Sequence, residues 1–272
     1  DDYWLIEGTA ANMEENVYPN VNDNVTFLDF WSPLSRPGSP LDRGGLGDAE
    51  YGAWIFWRFL QEKIGGDPSI VREIWERADA AVTGVSPDNY SLQAVKNELA
   101  ERGLVFRDVF AQFGTANRLL DYADAETAGY PEPPRTAAYG VGPNNRVIGW
   151  KSWKINHLAT RFFSFSPGST ASPSANLRIE VRLPANGTRA TLVTVFSNDT
   201  TLTRQLNQNA NGYVRTGVAF GRGTVRRIEV VLSNGSTRIG SCWLFQGPPS
   251  TSCFGRPLDD GRVFQLRAQL LP

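Results

Sequence analysis

Trp4-Leu5-Ile6-Glu7-Gly8-Thr9-Ala10 sets one carboxylate in a segment otherwise built of apolar or small residues. A carboxylate buried beside a Trp must ligate a cation, pair with a base or accept hydrogen bonds. Ala11, Met13, Glu14 and Glu15 follow and favour helix, interrupted by Asn12. On a helix, Trp4, Glu7 and Ala11 share one face, because positions three and four apart are neighbours. Gly8 lowers helix propensity but lets another backbone, or a metal site, approach closely. The alternative for Glu7 is a helix-terminal role, since the macrodipole alone favours Glu in a first turn.

Other groups offer less. The chain has one histidine, His157, in Asn156-His157-Leu158-Ala159 at an expected strand start. There is no Gly-x-Ser-x-Gly elbow, so His157 reads as a packed or hydrogen-bonded residue. Gly217 to Gly223 is glycine-rich but lies between strands rather than before a helix, which argues against phosphate binding. Glu14 and Glu15 are adjacent and do not face each other on a helix. Asp259-Asp260-Gly261 fits a turn, and neither it nor Asn20 to Asp29 has the spacing of a Ca²⁺ loop. Among the eight Trp residues, Trp54, Trp57 and Trp75 fall on helix faces expected to be buried. Trp150 and Trp153 are the candidates for an exposed sugar platform, with packing between domains as the alternative.

Trp4-Leu5-Ile6-Glu7-Gly8-Thr9-Ala10 resembles the Trp-Leu-x-Glu-Gly-x-Ala segment of gluzincin zinc metallopeptidases. The likeness is to the C-terminal half of secreted bacterial enzymes of that type, in which a helical half-domain precedes a β-rich domain. The resemblance implies that Glu7 is the third zinc ligand, on a helix after the His-Glu-x-x-His helix. It also implies an oxyanion-stabilising Tyr near a Tyr-x-x-Gly at the start of the central helix. Here Tyr51 abuts Gly52, two residues closer than that pattern, so core packing is the alternative for this candidate. The order of elements matches along most of the chain; the specific motif is seven residues long. His-Glu-x-x-His needs two histidines, so this chain cannot complete the zinc site. It begins where the second zinc helix would have just ended, and is expected to be a piece of a longer protein.

The elements that would position these residues are legible from period. Asn16 to Gly47 is irregular and Pro-rich, with Phe27, Leu28, Phe30 and Trp31 as expected anchors. Tyr51 to Ile64 is so apolar that it must be the central helix of its bundle, ended by Gly65-Gly66. Asp67-Pro68 starts a helix with Ile70, Val71, Ile74, Trp75 and Ala78 as its buried stripe. Ser91 is the expected cap of a helix carrying Leu92, Val95 and Leu99, closed by Gly103. Another follows with Val105, Phe106, Val109, Phe110 and Phe113.

Beyond the prolines of 129–144 the period becomes two. Ile179, Val181 and Leu183 alternate with polar residues, as do Ile228, Val230 and Leu232, and then Val263, Leu266, Ala268 and Leu270. Asn186-Gly187, Asn211-Gly212, Asn234-Gly235 and Asp260-Gly261 mark turns. The expected fold is α+β: a helical half-domain over 1–128, a Pro/Gly-rich linker over 129–144 and an antiparallel β-sandwich over 145–272.

The chain has 272 residues and a net charge of −1, which gives no bulk-charge drive toward nucleic acid or a membrane surface. Its Arg residues concentrate after position 146 and read as solvated strand positions. No apolar run approaches the ~18 residues of a membrane span. Cys242 and Cys253, close together in a Ser/Pro/Gly-rich segment, are expected to form a disulfide and so indicate an extracytoplasmic or secreted location.

The function expected is that of the C-terminal portion of a secreted gluzincin-like zinc metallopeptidase. Peptide-bond hydrolysis would require a missing N-terminal segment or chain that carries the zinc histidines. Zn²⁺ belongs to that parent enzyme, with a protein or peptide as substrate; this chain alone is expected to be inactive and to hold no zinc tightly. The alternative is a non-enzymatic extracellular binding or structural protein on a peptidase-derived scaffold.

Overall fold

A computed structural model describes residues 2–45, 47–78, 89–242 and 250–271. Helix α1 (Tyr3–Val17) opens the chain, and a 3₁₀ segment (Asn22–Leu28) follows. Then come α2 (Ala49–Gly52) and α3 (Trp54–Phe59), the latter running into a π-helical stretch over Leu60–Gly65. α4 (Ser69–Ala78), α5 (Ser91–Glu101), α6 (Phe106–Leu119) and α7 (Ala125–Ala128) follow, and a 3₁₀ turn (Ser252–Phe254) lies near the end of the chain. The expected central helix is present: Trp54, Ile55, Phe56, Trp57, Phe59 and Leu60 are all buried. It ends at Gly66, whose N–H donates to the Gln61 carbonyl at 2.8 Å and closes the last wide turn. Asp67 accepts the Ser69 N–H at 2.7 Å, the cap its sequence predicts for α4.

Three local expectations need correction. Trp75 projects outward from α4 and is exposed, because its indole N–H reaches Thr9 Oγ1 of α1 at 3.2 Å rather than the core. Phe30 is exposed, while Leu28, another expected anchor, and Leu34 are buried. Ser91 does not cap α5; it is the helix's first residue, and its hydroxyl is drawn to the buried Asp2 carboxylate.

The β-rich part contains β1 (Ala137–Val141), β2 (Val147–Ile155), β3 (Ala159–Pro167), β4 (Asn176–Arg182), β5 (Thr188–Phe196) and β6 (Thr201–Leu206). It continues with β7 (Tyr213–Ala219), β8 (Val225–Asn234), β9 (Ile239–Gly240), β10 (Arg256–Pro257) and β11 (Arg262–Leu271). A five-stranded sheet, ordered β1-β3-β8-β5-β6, faces a four-stranded sheet, ordered β2-β11-β4-β7, and β9 pairs with β10. Pairing is antiparallel except for β1 with β3. Phe163, Phe165, Ile228, Val230 and Leu232 from one sheet meet Leu177, Ile179, Val181, Phe264 and Leu266 from the other. This is the alternation of a sandwich core. The fold is thus mixed α+β with a sheet-rich C-terminal part.

The five-stranded sheet is also covered on its outer face. Phe162 and Val231 are buried there, and α6 packs across β5 and β8. The result is three layers, helix on sheet on sheet. Polar ties cross the helix–sheet boundary. In the most buried, Glu229 of β8 receives Arg118 of α6 at 2.9 Å, Arg227 at 2.8 Å and Arg135 at 3.4 Å. Arg189 of β5 also pairs with Asp108 of α6, and Gln205 Nε2 of β6 donates to the Asp108 carbonyl at 3.1 Å.

On the outer face of the four-stranded sheet, Glu180 is held by Arg267 at 2.5 Å and by the Tyr213 hydroxyl. The hydrogen bond from Arg267 keeps its carboxyl below the usual range, against the opposing effect of burial. The folded value therefore lies below the unfolded one. The stabilisation is complete above the unfolded value of about pH 4.3 and is lost as pH falls through the folded value. Burial raises Asp2 and Glu15, which act in the opposite sense and regain stability on protonation. Comparing variants separates the two effects. Glu180→Gln should cost stability at pH 6 and little at pH 2.5, as read from thermal melts across that range. A penalty that does not shrink with acid would refute the assignment.

Candidate functional site

Both residues singled out by the sequence lie on helices that pack together. Glu7 sits in the second turn of α1, half-buried, and Tyr51 lies near the end of α2. Gly8 makes the approach possible. A Cβ there would fall 2.7 Å from Trp57 Nε1 and 3.3 Å from the Glu50 carbonyl oxygen. Trp4, one turn back, stacks on Trp57 with ring centroids 5.0 Å apart. The Tyr51 ring is fixed by stacking on Phe27 at 4.9 Å.

The Tyr51 phenol neighbours the Glu7 carboxylate across the α1–α2 contact. The Glu7 carboxylate, with burial and the nearby charges of Glu50 and Asp48, pushes the phenol above its ordinary value. The phenol therefore stays protonated and remains a donor. Asp48, Glu50 and Glu7 make the neighbourhood acidic, and none of the three has an ion-pair partner among the described residues.

The residues present do not make a zinc site. Among the described residues no three of His, Cys, Asp or Glu are grouped to hold a metal ion. His157 is fully buried elsewhere, with Nε2 3.2 Å from Asp42 Oδ2. Burial alone would raise Asp42, but the His157 charge and hydrogen bonds from His157 and Ser252 outweigh it and hold the carboxyl low. His157 is thus a hydrogen-bonded core residue, as its context predicts.

The outward side of α1 carries a second feature. Tyr3, Ile6, Ala10, Met13 and Val17 recur at alternating spacings of three and four, which places them on one face. Tyr3 is 44%, Met13 46% and Val17 56% exposed, while Trp4, Leu5 and Ala11 fill the opposite, buried face. A helix apolar on both sides belongs in an interior, yet Met13 and Val17 on this one are largely exposed, while Tyr3 rests edge-on against Phe254 with ring centroids 6.2 Å apart.

The start of α1 is tied to the far end of the chain. Trp4 Nε1 donates to Ser91 Oγ at 2.9 Å and to Ser252 Oγ at 3.1 Å, and the Cys253 N–H donates to Asp2 at 2.7 Å. Cys242 and Cys253 form the expected disulfide. A disulfide persists in an oxidising, extracytoplasmic compartment. Among the described residues no helix is long and apolar enough to cross a membrane.

Of the other residues weighed, Trp153 packs on Phe163 at 4.4 Å and serves the sandwich core. Trp150 is covered by Arg182 and Arg267, whose guanidinium carbons lie 4.6 and 4.9 Å from its ring centre, so it offers no open sugar platform.

No family model and no curated protein matches the chain. Solved structures give distant likenesses. Over 52% of its length the chain is similar to the pre-peptidase C-terminal domain of collagenase from Bacillus anthracis, with 13% identity, 99% of that domain covered and a TM-score of 0.28. Over 50% it is similar to PliG of Aeromonas hydrophila, a periplasmic inhibitor of g-type lysozyme, with 8% identity, 96% covered and a TM-score of 0.28. A mutant of the Escherichia coli PliG gives the same figures: 8% identity, 96% covered and a TM-score of 0.28. The fold and site described here rest on the chain's own elements and not on these likenesses.

Proposed function

We propose that this chain is the C-terminal portion of a secreted gluzincin-like zinc metallopeptidase. The observation that supports this reading is the convergence of Glu7 and Tyr51, from separate helices, beside the uncovered apolar face of α1. Glu7 would be one metal ligand, and the histidines would come from a segment or chain seated on that face. Tyr51, kept protonated, would donate to the oxyanion that forms when a peptide carbonyl is attacked. An uncovered apolar strip of this kind is the usual mark of a missing partner.

Joining the chain to its upstream coding segment, covalently or by co-expression, tests the reading. Zn²⁺-dependent peptide hydrolysis should appear, vanish in Glu7→Ala, and fall about 10²–10³-fold in kcat in Tyr51→Phe, the loss typical of one oxyanion donor. Hydrolysis indifferent to Glu7→Ala, or no Zn²⁺-dependent hydrolysis at all, sinks it. The chain alone should show neither activity nor stoichiometric zinc.

A further inference from the structure

A cavity of about 510 Å³ opens between the 31–43 loop and the start of the β-rich part, with four arginines on its wall: Arg36, Arg43, Arg135 and Arg161. Among the described residues no Asp or Glu lines it. Arg135 is neutralised by Glu132 at 3.2 Å and Glu229 at 3.4 Å. Arg36, Arg43 and Arg161 have no carboxylate within ion-pair distance among the described residues, and the Nε atoms of Arg43 and Arg161 are buried without a partner. The Ser39 hydroxyl, also on the wall, is likewise buried and unpartnered. Three uncompensated like charges around one concave space repel each other, and an anion relieves all three at once.

The guanidiniums are also held in place. Arg36 lies 3.8 Å above the Trp31 ring and Arg43 lies 5.0 Å from its centre, and Arg36 Nε donates to the Phe30 carbonyl at 3.0 Å. Stacking fixes the plane of each fork while leaving terminal N–H groups to donate. Arg161 rests on Gly38, where a Cβ would come within 3.0 Å of its guanidinium carbon. The Gly38 carbonyl is itself fixed by Asn156 Nδ2 at 3.0 Å. Fixed, planar, unsatisfied forks suit the bidentate recognition of oxyanions.

We propose that this cavity binds a compact oxyanion carrying two or more negative charges, of the phosphate or polycarboxylate type. The volume fits a small molecule. The site shares no residue with the Glu7 and Tyr51 region, so it stands whether or not the peptidase reading does.

Calorimetric titration of the full chain with inorganic pyrophosphate, and separately with citrate, tests the site; the better probe tells phosphate from carboxylate. At low ionic strength at least one should bind 1:1 with Kd of roughly 1 mM or tighter. Arg161→Gln and Arg43→Gln should each weaken that binding about tenfold or more. In anion-free buffer the same variants should melt within a few degrees of the parent, because each gives up a packing contact but removes repulsion and no ion-pair partner. Should either fail to fold, Arg36→Gln, at an exposed position, replaces it. Neither probe binding saturably, or folded variants binding as tightly as the parent, overturns the proposal.

Discussion

Glu229→Gln is expected to lower the unfolding free energy by about 3–5 kcal/mol, the cost of removing one partner from a buried ion pair. The Glu229 side chain is fully enclosed, and that of Arg118 is 1% exposed. Without the carboxylate, Arg118 keeps Glu132, at 3.1 Å and largely solvated, and the Pro133 carbonyl at 3.5 Å, while Arg135 and Arg227 lose their shared acceptor. The Arg118 charge is then left in an enclosed site with Arg135 and Arg227 beside it. Combining Glu229→Gln with Arg118→Met should cost less than the sum of the two single changes, because neither charge is left alone. Urea unfolding of the four proteins in this cycle measures it. A single-mutant loss below about 1 kcal/mol would show that solvent reaches the site and that the tie does not hold α6 to the sheet.

Glu229 also shows where reading from sequence stops. Arg227, Glu229 and Val231 alternate with Ile228, Val230 and Leu232, and the alternation fixes two strand faces. It does not say that a helix covers the second face, so Glu229 reads as solvated when it is buried. The Asn-Gly pairs are similar. Asn186 and Gly187 do adopt positive φ, of 67° and 71°. Yet the β4–β5 connection they mark carries the chain from one sheet to the other, because long-range pairing, not the turn, decides the partner. The β5–β6 hairpin turns instead through Asp199, at φ 64°, without an Asn-Gly signal. β1 lies within the Pro-rich 129–144 stretch, where Ala, Tyr and Gly give too little alternation to announce a strand.

At the candidate site, the chemistry of Glu7 and Tyr51 was readable singly, from local context, and their contact was not. The contact depends on Gly8 letting α1 sit against Trp57. The arginine cavity was missed for a related reason. Its residues come from 31–43, 134–136 and 156–161, and only folding gathers them. The usable signal was Arg36 and Arg43 following Trp31 in a Pro/Gly-rich loop that lacks carboxylates between the two arginines except Asp42. Asp42 is turned inward to His157.

Cys242→Ser combined with Cys253→Ser should destabilise the protein by about 3 kcal/mol and loosen the candidate site from a distance. The first effect follows from the bridge's sequence separation of 11 residues, since an unbridged unfolded chain regains the freedom of a short loop. The second follows from what the bridged segment touches. Cys253 N–H binds Asp2, Ser252 Oγ accepts from Trp4, and Ser252 N–H binds Asp42 at 3.0 Å. These bonds anchor the first turn of α1, one turn before Glu7. When Ser252 and Cys253 are no longer tethered through the bridge, Asp2 and Trp4 lose partners inside a buried polar cluster, and α1 should fray from its start. Amide exchange measured on the parent and the double variant, both well below their melting temperatures, separates local from global loosening. Protection should fall most over residues 3–8 of α1 and little in β4, β7 and β11. A uniform loss across both regions would mean that the bridge acts only through the unfolded chain and has no hold on the helix that carries Glu7.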